Sequence, residues 1–382
     1  MMTAELAPAW SGSPPAPVLP RVLRPGFAAP RLRERSKLRV AHFATLSGPA
    51  GIWGPASINS AVLAATEINA RGGILGRQIE LAVHDAGAAP RDLAREAEDL
   101  VEFEEADVIV GCHMSAVRVA LRRTFAGRLP YIYTPIYEGG ELTPGVLAIG
   151  ETPPRQARPA IAWLAEKKRA RRWYLIGSDY VWPWLSHRAV KSYIAEAGGQ
   201  VVGEDFVTLG EHDHTPYLER IQAARPDVVF ISLIGLDGIV FNRSFAEHGF
   251  SSRMLRLANC VDETVLLGIG ADNTENLFAA SGYFATVQSA AAEMFRASYD
   301  AAFGASAPVP GASAQSNYEG LYFLEALARR AGSLELGDLA AATDGATYCG
   351  GRGPIGMRRH LADMPIYLAE ADGFDFRVTR EF

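Results

Sequence analysis

Short apolar runs alternate with helical patterns along most of this 382-residue chain, and the alternation occurs twice in succession. Residues 38–43 and 107–110 are two such runs in the first series, and residues 173–176 and 227–232 are two in the second. Parallel strands joined by crossover helices produce this pattern, because the helices cover both faces of the sheet and its strands are therefore apolar throughout. The predicted fold class is therefore α/β, with two lobes that each contain a doubly wound parallel sheet.

Composition limits the classes of function. The chain is 48% hydrophobic and 21% charged, which is ordinary for a globular protein with one or two cores. Its net charge of −6 argues against a nucleic-acid-binding surface, which is usually basic. The three cysteines, Cys112, Cys260 and Cys349, have neither the spacing of zinc ligands nor that of a disulfide framework. We therefore expect no metal and no direct contact with nucleic acid.

The first 36 residues are rich in proline, alanine and arginine. Prolines interrupt every apolar stretch that could act as a secretory signal, and no apolar run is long enough to span a membrane. We predict that residues 1–36 form a disordered tail and that the protein is cytoplasmic. If the assigned start is wrong, the expected compartment is the periplasm instead.

Polar side chains follow two neighbouring predicted strands within residues 107–139. His113 and Ser115 come after the first strand, and Thr134 precedes Pro135 at the end of the second. Ligands of open α/β sheets bind beyond the carboxyl ends of the strands. The proline after Thr134 holds that residue in an extended conformation. Ser115 is either a plain helix N-cap or a ligand contact, and His113 is either a structural residue or a ligand contact. This stretch is predicted to form one wall of a small-molecule site.

Other candidates are aromatic or acidic residues near predicted strand ends. Aromatic rings with polar tips can enclose a small ligand, although such rings are also common in cores. Acidic groups at helix starts can bind a ligand or simply face solvent. These candidates are Tyr133, Tyr137, Tyr180, Trp182, Asp237 and Glu263.

The sequence gives little support for catalysis. Ser115 and His113 lack a third group to orient them, and no nucleophile elbow is present. Neither a dinucleotide-binding fingerprint nor a phosphate-binding loop follows the first strand. We therefore expect a binding protein without catalytic residues and without a cofactor, and an enzyme on a two-lobed scaffold is the alternative from another class.

Several segments resemble a known family. Residues 69–81, Asn-Ala-Arg-Gly-Gly-Ile-Leu-Gly-Arg-Gln-Ile-Glu-Leu, followed by Asp85, resemble the hallmark of type I periplasmic binding proteins of the leucine/isoleucine/valine group. Three later segments are similar to the amide-sensing regulators of aliphatic amidase operons, which are cytoplasmic members of this fold. These segments are residues 110–115, 133–139 and 176–183. The resemblance covers the chain after the tail and weakens in the C-terminal part.

The resemblance implies two lobes joined by a three-segment hinge. The first lobe would consist of residues 37–152 and 281–345, and the second of residues 153–280 and 346–382. Ligand would bind in the cleft between the lobes, and the cleft would close by a hinge motion. A homo-oligomer is compatible with this arrangement.

The resemblance also implies roles for individual residues. Ser115 and Thr134 match positions that contact the ligand from the first lobe, and Tyr133 and Pro135 match flanking contacts. Tyr180 matches a second-lobe tyrosine that closes on the ligand.

Departures from the regulators affect the expected ligand. His113 and Trp182 stand where those proteins have tyrosines, which changes the volume and the hydrogen bonding of the pocket. Glu263 resembles the acid that holds the ligand ammonium in amino-acid-binding relatives. We expect a small neutral amide-like ligand, such as a short-chain amide, urea or a nitrile-pathway metabolite.

Two functions follow from the resemblance. The first is a cytoplasmic sensor that controls amide- or nitrile-degrading enzymes through an antiterminator-type protein partner. The alternative is the substrate-binding protein of an ABC importer for amides, urea or branched-chain amino acids.

Overall fold

The computed structural model describes residues 18–22 and 36–382. The strands of the first lobe are β1 (Arg21–Val22), β2 (Lys37–Ala44), β3 (Gln78–Asp85), β4 (Val108–Cys112), β5 (Tyr131–Tyr133) and β6 (Val146–Ala148). Its first helices are α1 (Gly54–Ala70), α2 (Pro90–Glu102) and α3 (Ser115–Phe125). The strand order is β1-β3-β2-β4-β5-β6, and every neighbouring pair is parallel. This is the doubly wound sheet that the alternating pattern predicts.

The second lobe repeats the arrangement. Its helices are α4 (Pro153–Lys167), α5 (Val181–Glu196), α6 (Thr215–Ala224), α7 (Gly235–Glu247) and α8 (Glu263–Ile269). Its strands are β7 (Arg172–Ser178), β8 (Gln200–Val207), β9 (Val228–Ser232), β10 (Leu255–Ala258) and β11 (Leu277–Ser281). These five strands pair in parallel, so the predicted two-lobed α/β fold class is confirmed.

The C-terminal part of the chain adds elements to both lobes. Its helices are α9 (Ala290–Phe303), α10 (Ala312–Ala331) and α11 (Leu336–Ala342). Its strands are β12 (Thr347–Gly350), β13 (Gly353–Arg358), β14 (Leu361–Asp363), β15 (Tyr367–Asp372) and β16 (Asp375–Glu381). The last two strands extend the second sheet in antiparallel fashion, and its order is β16-β15-β11-β10-β9-β7-β8.

One lobe boundary differs from the expected position. Strands β12 to β14 form a separate sheet that packs against α9 and α10, and α10 in turn packs on α1 and β4 of the first lobe. Residues 346–363 were expected in the second lobe, but these contacts place them beside the first. We therefore place the third crossing between the lobes at residues 364–366.

Burial explains why the central strands are recognisable in the sequence. Every residue of β4, β9 and β11 is buried. Such strands must be continuously apolar because neither face of the sheet meets water. The edge strand β8 is only partly buried along most of its length, and its sequence is correspondingly mixed.

The predicted disordered tail, residues 1–36, falls largely outside the described residues. Of that stretch the structure describes residues 18–22 and Ser36. Strand β1 pairs with Ala82 and Val83 at the edge of the first sheet, and the Val18 backbone N–H donates to Thr66 Oγ1 at 3.0 Å. Residues 18–22 are therefore placed against the first lobe, in contrast to the prediction for them.

The helices of the described residues are those of an α/β fold, in which helices cover the sheets. None of the helices in the described part of the chain is both long enough and apolar enough to cross a bilayer.

Candidate functional site

A cleft lies between the lobes at the carboxyl ends of the central strands, which is where ligands of α/β sheets bind. Its volume is about 820 Å³, counting the space that is open to solvent. Six of the predicted site residues line it: His113, Ser115, Tyr133, Pro135, Tyr180 and Trp182. The structure thus brings these side chains together from both lobes, and their contact with a ligand stays a prediction.

Two predicted first-lobe residues lie outside the cleft wall. The Thr134 hydroxyl faces α10, where its Oγ1 lies 3.1 Å from Ser316 Oγ. Tyr137 packs behind Tyr133, with the two ring centroids 6.2 Å apart. The strand end and the turn were located from the sequence, but the direction of each side chain depends on the packing of α10 and of the loop after β5.

Two predicted second-lobe acids also lie outside the cleft wall. Asp237 is buried on α7 and accepts from the Gly210 backbone N–H at 3.2 Å. Glu263 is buried at the start of α8 and accepts from the Ala285 backbone N–H at 2.6 Å. Both carboxyls therefore hold loops in place, and neither faces solvent as a plain helix-start acid would.

Replacing Glu263 by glutamine is expected to change the pH dependence of stability. Burial, followed by the neighbouring Asp262 carboxylate, raises the pKa of Glu263 from 4.5 to about 8. Between these pH values the folded chain holds a proton that the unfolded chain has released, so a rising pH favours unfolding. The wild-type free energy of unfolding should fall relative to that of Glu263→Gln between about pH 5 and about pH 8.

Urea unfolding at a series of pH values measures this difference. Burial lowers the pKa of His42 from 6.5 to about 4 and that of His113 from 6.5 to about 3. As the pH falls below 6.5, these histidines take up protons in the unfolded chain before they do so in the folded chain, which favours unfolding. They are present in both proteins and cancel in the comparison. A constant difference between wild type and variant over this pH range would contradict the raised pKa of Glu263.

His113 forms part of the first-lobe wall with both ring nitrogens engaged. Its Nδ1–H donates to the Met114 carbonyl at 3.1 Å, and its Nε2 accepts from the Tyr131 hydroxyl at 2.8 Å. Burial keeps the imidazole neutral, since it lowers the pKa of His113 to about 3. The Tyr133 hydroxyl donates to the His113 carbonyl at 2.7 Å. His113 and Tyr133 are therefore a fixed wall, with little hydrogen-bonding capacity left for a ligand.

A buried ion cluster supports the same wall from behind. The Arg118 guanidinium donates to Glu138 at 2.6 Å, to Glu141 at 2.9 Å and to Ser115 Oγ at 3.1 Å. Ser115 in turn donates its hydroxyl hydrogen to Glu138 at 2.8 Å. The guanidinium also lies over the Tyr133 ring at 4.8 Å. Ser115 is thus held by protein groups on both sides, which leaves its hydroxyl only one further acceptor position.

No sequence motif points to this cluster. The available signal was Arg118, which lies three residues after Ser115 and therefore on the same face of α3. A charged residue on the buried face of a short helix requires partners of opposite charge. Glu138 and Glu141 lie beyond the next strand, so only the tertiary structure shows that they are those partners.

A second buried ion pair lies at the hinge and lines the cleft. Arg352 Nη1 donates to Glu151 Oε1 at 3.0 Å, and Arg352 Nε donates to Gln315 Oε1 at 2.7 Å. Glu151 Oε1 also accepts from the Gly282 backbone N–H at 2.9 Å. Glu151 belongs to the first crossing and Gly282 to the second, so this pair connects two hinge segments. No sequence motif points to either residue.

Asp262 is the second-lobe acid that does line the cleft, instead of its neighbour Glu263. Its carboxylate accepts from Trp53 Nε1–H at 2.9 Å and from the Ser313 and Val265 backbone N–H groups at 3.4 and 3.3 Å. Trp53 and Ser313 belong to the first lobe. Asp262 therefore joins the lobes across the cleft.

Four residues that line the cleft each have a buried polar side-chain atom without a hydrogen-bond partner among the described residues. These atoms are Thr45 Oγ1, Gln156 Oε1, Trp182 Nε1 and Asn259 Oδ1. Most buried polar groups in proteins are paired, so buried atoms without a protein partner are the ones that a ligand or water must satisfy. All four groups are uncharged, and three of them belong to the second lobe.

Two sheet-based lobes that enclose a cleft at their strand ends define a hinged ligand-binding protein. A sequence profile of the periplasmic binding protein family matches residues 37–375. This chain therefore belongs to that family, in agreement with the resemblance seen in residues 69–81.

Known relatives are consistent with this membership. The Leu/Ile/Val-binding protein BraC3 of Rhizobium johnstonii is 26% identical over 243 residues, and the match covers 62% of this chain and 63% of BraC3. The match thus spans less than two thirds of that relative.

Solved structures share the fold over a larger part of the chain. An ABC transporter substrate-binding protein from Sphaerobacter thermophilus is 23% identical, with a TM-score of 0.78 and coverage of 91% of this chain and 98% of that one. A solute-binding protein of an ABC transporter from Rhodopseudomonas palustris BisB5, in complex with 3,4-dihydroxybenzoic acid, is also 23% identical, with a TM-score of 0.79 and the same coverage. At this identity the likeness concerns the fold and not the ligand.

Proposed function

We propose that this chain is the substrate-binding component of an ABC importer and that it captures a small uncharged polar compound in the interlobe cleft. The observation that carries the proposal is that the arginine on the described cleft wall, Arg352, already has its charge balanced by the buried carboxylate of Glu151. Arg352 donates to Glu151 and Gln315, and its Nη2 donates to the Ala312 carbonyl at 3.1 Å. A ligand carboxylate would therefore have to share this cation with Glu151, and the cleft would carry an excess negative charge.

The cleft also offers little for an amino-acid ammonium. Such a group requires a carboxylate with open acceptor positions. Among the described residues, two carboxylates line the cleft, Asp262 and Glu151. The oxygens of Asp262 already accept from three N–H groups of the protein, and Glu151 is paired with Arg352 and accepts from the Gly282 N–H. Glu263, which the sequence suggested for this role, lies outside the cleft wall. These contacts weigh against a branched-chain amino acid, although proteins that bind leucine, isoleucine and valine are among the relatives.

Neutral groups on the wall suit a neutral ligand. The Trp182 indole N–H can donate to a carbonyl, and the Thr45 hydroxyl can donate or accept. The rings of Tyr180 and Trp182 lie against each other, with centroids 6.2 Å apart, and provide an apolar surface beside these groups. Short-chain amides, urea and nitrile-pathway metabolites have the size and charge for such a site.

A sensor of the same compounds is the second candidate function. The segments that resemble amide-sensing regulators contribute His113, Ser115, Tyr133, Tyr180 and Trp182 to the cleft wall. This role would place the chain in the cytoplasm with an antiterminator-type partner, whereas the importer role places it outside the cytoplasmic membrane. Cell fractionation of the native producer distinguishes the two, since each role requires a different compartment.

Calorimetric titration of the purified protein tests the binding proposal. We expect acetamide, propionamide or urea to bind, and leucine and benzoate not to bind at the same concentrations. Trp182→Phe keeps an aromatic ring but removes the indole donor, and it should weaken binding of the neutral ligand roughly tenfold. Trp184→Phe is the matched control, because Trp184 lies on the same helix but is half exposed and outside the cleft wall.

Two results would contradict the binding proposal. One is the absence of binding by every compound of this panel. The other is tighter binding of leucine than of any amide or of urea.

A further inference from the structure

We infer that Gln156 and Asn259 select ligands that carry an NH2 group, so that the cleft accepts primary amides or urea and rejects nitriles and ketones of the same size. This inference rests on the proposed function and narrows its ligand class. It is carried by the buried amide oxygens of two cleft-lining residues, Gln156 Oε1 and Asn259 Oδ1, which have no partner among the described residues.

The orientation of the Gln156 amide is determined by backbone carbonyls. Gln156 lies in the first turn of α4 and is buried. Its Nε2 donates to the Asn259 carbonyl at 3.0 Å and to the Ala280 carbonyl at 2.7 Å. Carbonyl oxygens only accept, so the NH2 end of the side chain must face them and Oε1 must be the remaining end. Gln156, which lines the cleft, thus keeps Oε1 as an acceptor without a partner among the described residues.

Among the described residues, Asn259 supplies a second unpartnered acceptor from a neighbouring segment. The hydrogen bond from Gln156 Nε2 ends on the Asn259 backbone, so the two side chains lie on neighbouring segments at the start of α4 and after β10. Asn259 is also buried, and its Oδ1 has no partner in the described part of the protein. Two acceptors on neighbouring segments can take up the two hydrogens of one NH2 group, whereas a hydroxyl group supplies only one hydrogen.

A ligand without N–H groups would leave both amide oxygens, Gln156 Oε1 and Asn259 Oδ1, without a hydrogen-bond donor. A nitrile, a ketone or an ester can accept from the Trp182 indole but cannot donate to Gln156. A buried acceptor without a partner weakens binding of the wrong ligand by roughly ten- to hundredfold. Sites built for a hydrogen-bonding group reject analogues without it for this reason.

Titration of the wild-type protein with isosteric pairs tests this inference first. Propionamide and butanone have nearly the same shape and differ in NH2 against CH3, and propionitrile extends the series. We expect propionamide or urea to bind at least about tenfold more tightly than butanone and propionitrile. Equal affinities of propionamide and butanone would overturn the inference while leaving the proposed function intact.

The variant Gln156→Met then tests whether the Gln156 side chain is responsible for the preference for ligands with an NH2 group. It retains length and volume but lacks the acceptor. If Gln156 receives the ligand NH2 group, the ratio of the propionamide and butanone affinities should shrink at least about fivefold in the variant. If Gln156 only supports the backbone, both affinities should fall by the same factor, and that result would overturn the inference.

Failure of the proposed function has a different signature. If no amide, urea, ketone or nitrile binds the wild-type protein, the proposed function is overturned and this inference with it. Because the first comparison uses the unaltered protein, its outcome does not depend on the folding of the variant.

Discussion

Arg118→Met should destabilise the protein by about 3–5 kcal/mol. The substitution leaves Glu138 and Glu141 buried without the guanidinium that lies 2.6 and 2.9 Å from them. An uncompensated buried carboxylate is costly, whereas the ion pair itself contributes little net stability. Arg122 also contacts Glu141 at 3.0 Å, so Glu138 is the carboxylate that loses most. Chemical unfolding monitored by circular dichroism measures the loss.

The matched control is Arg128→Met. Arg128 pairs with Glu98 at 3.0 Å, but both side chains are about half exposed, at 45% and 52%. An exposed pair of this kind contributes at most about 1 kcal/mol. Adding Glu138→Gln to Arg118→Met should recover part of the lost stability, because the buried charge is removed. If the two arginine variants lose similar free energies, the cluster is not the support of the cleft wall that its geometry indicates.

Gly235→Ala should weaken ligand binding by at least about tenfold through loss of the closed arrangement of the lobes. Gly235 begins α7 in the second lobe with a φ of +49°, and a Cβ there would lie 2.2 Å from the Pro49 carbonyl oxygen of the first lobe. The next residue, Leu236, donates its backbone N–H to the same oxygen at 2.9 Å. A methyl group at 235 therefore forces the two lobes apart at this contact.

Gly249→Ala is the matched control, because it distinguishes an effect on closure of the lobes from an effect of backbone strain. Gly249 has a φ of +70°, and a Cβ at this position would meet no other atom within 4 Å, so the variant carries the left-handed cost without the clash. Both variants should lose similar thermal stability, and only Gly235→Ala should lose affinity and show a larger radius of gyration by X-ray scattering. Equal affinities of the two variants would exclude this contact from the closed state.

Both predictions depend on contacts between residues that are distant in the sequence, and such contacts could not be predicted from the sequence alone. Parallel strands were predictable because burial on both faces requires an unbroken apolar run, as in β4 and β9. The cleft was predictable because polar residues directly follow such strands, as His113 and Ser115 follow β4.

Side-chain direction was less predictable than position. Thr134 directly follows Tyr133, the last residue of β5, yet its hydroxyl faces Ser316 on α10, 182 residues later in the chain. Of the neighbouring acids Asp262 and Glu263, only Asp262 lies on the cleft wall, because the two consecutive side chains point to different partners, Trp53 and the Ala285 N–H. The lobe boundary near residue 346 was misplaced because short antiparallel strands carry no signal of the lobe against which they pack.

The sequence by itself therefore determined the α/β class, the two-lobed organisation and the strand ends that meet at the cleft, since these depend on local apolar patterns. Only the tertiary structure decided which polar groups remain available at the cleft. Arg118 and Arg352 are occupied by glutamates, while Gln156 and Trp182 keep an atom without a partner among the described residues. The physical reason is that hydrogen-bond satisfaction of a buried group depends on partners that are distant in the chain and become neighbours only on folding.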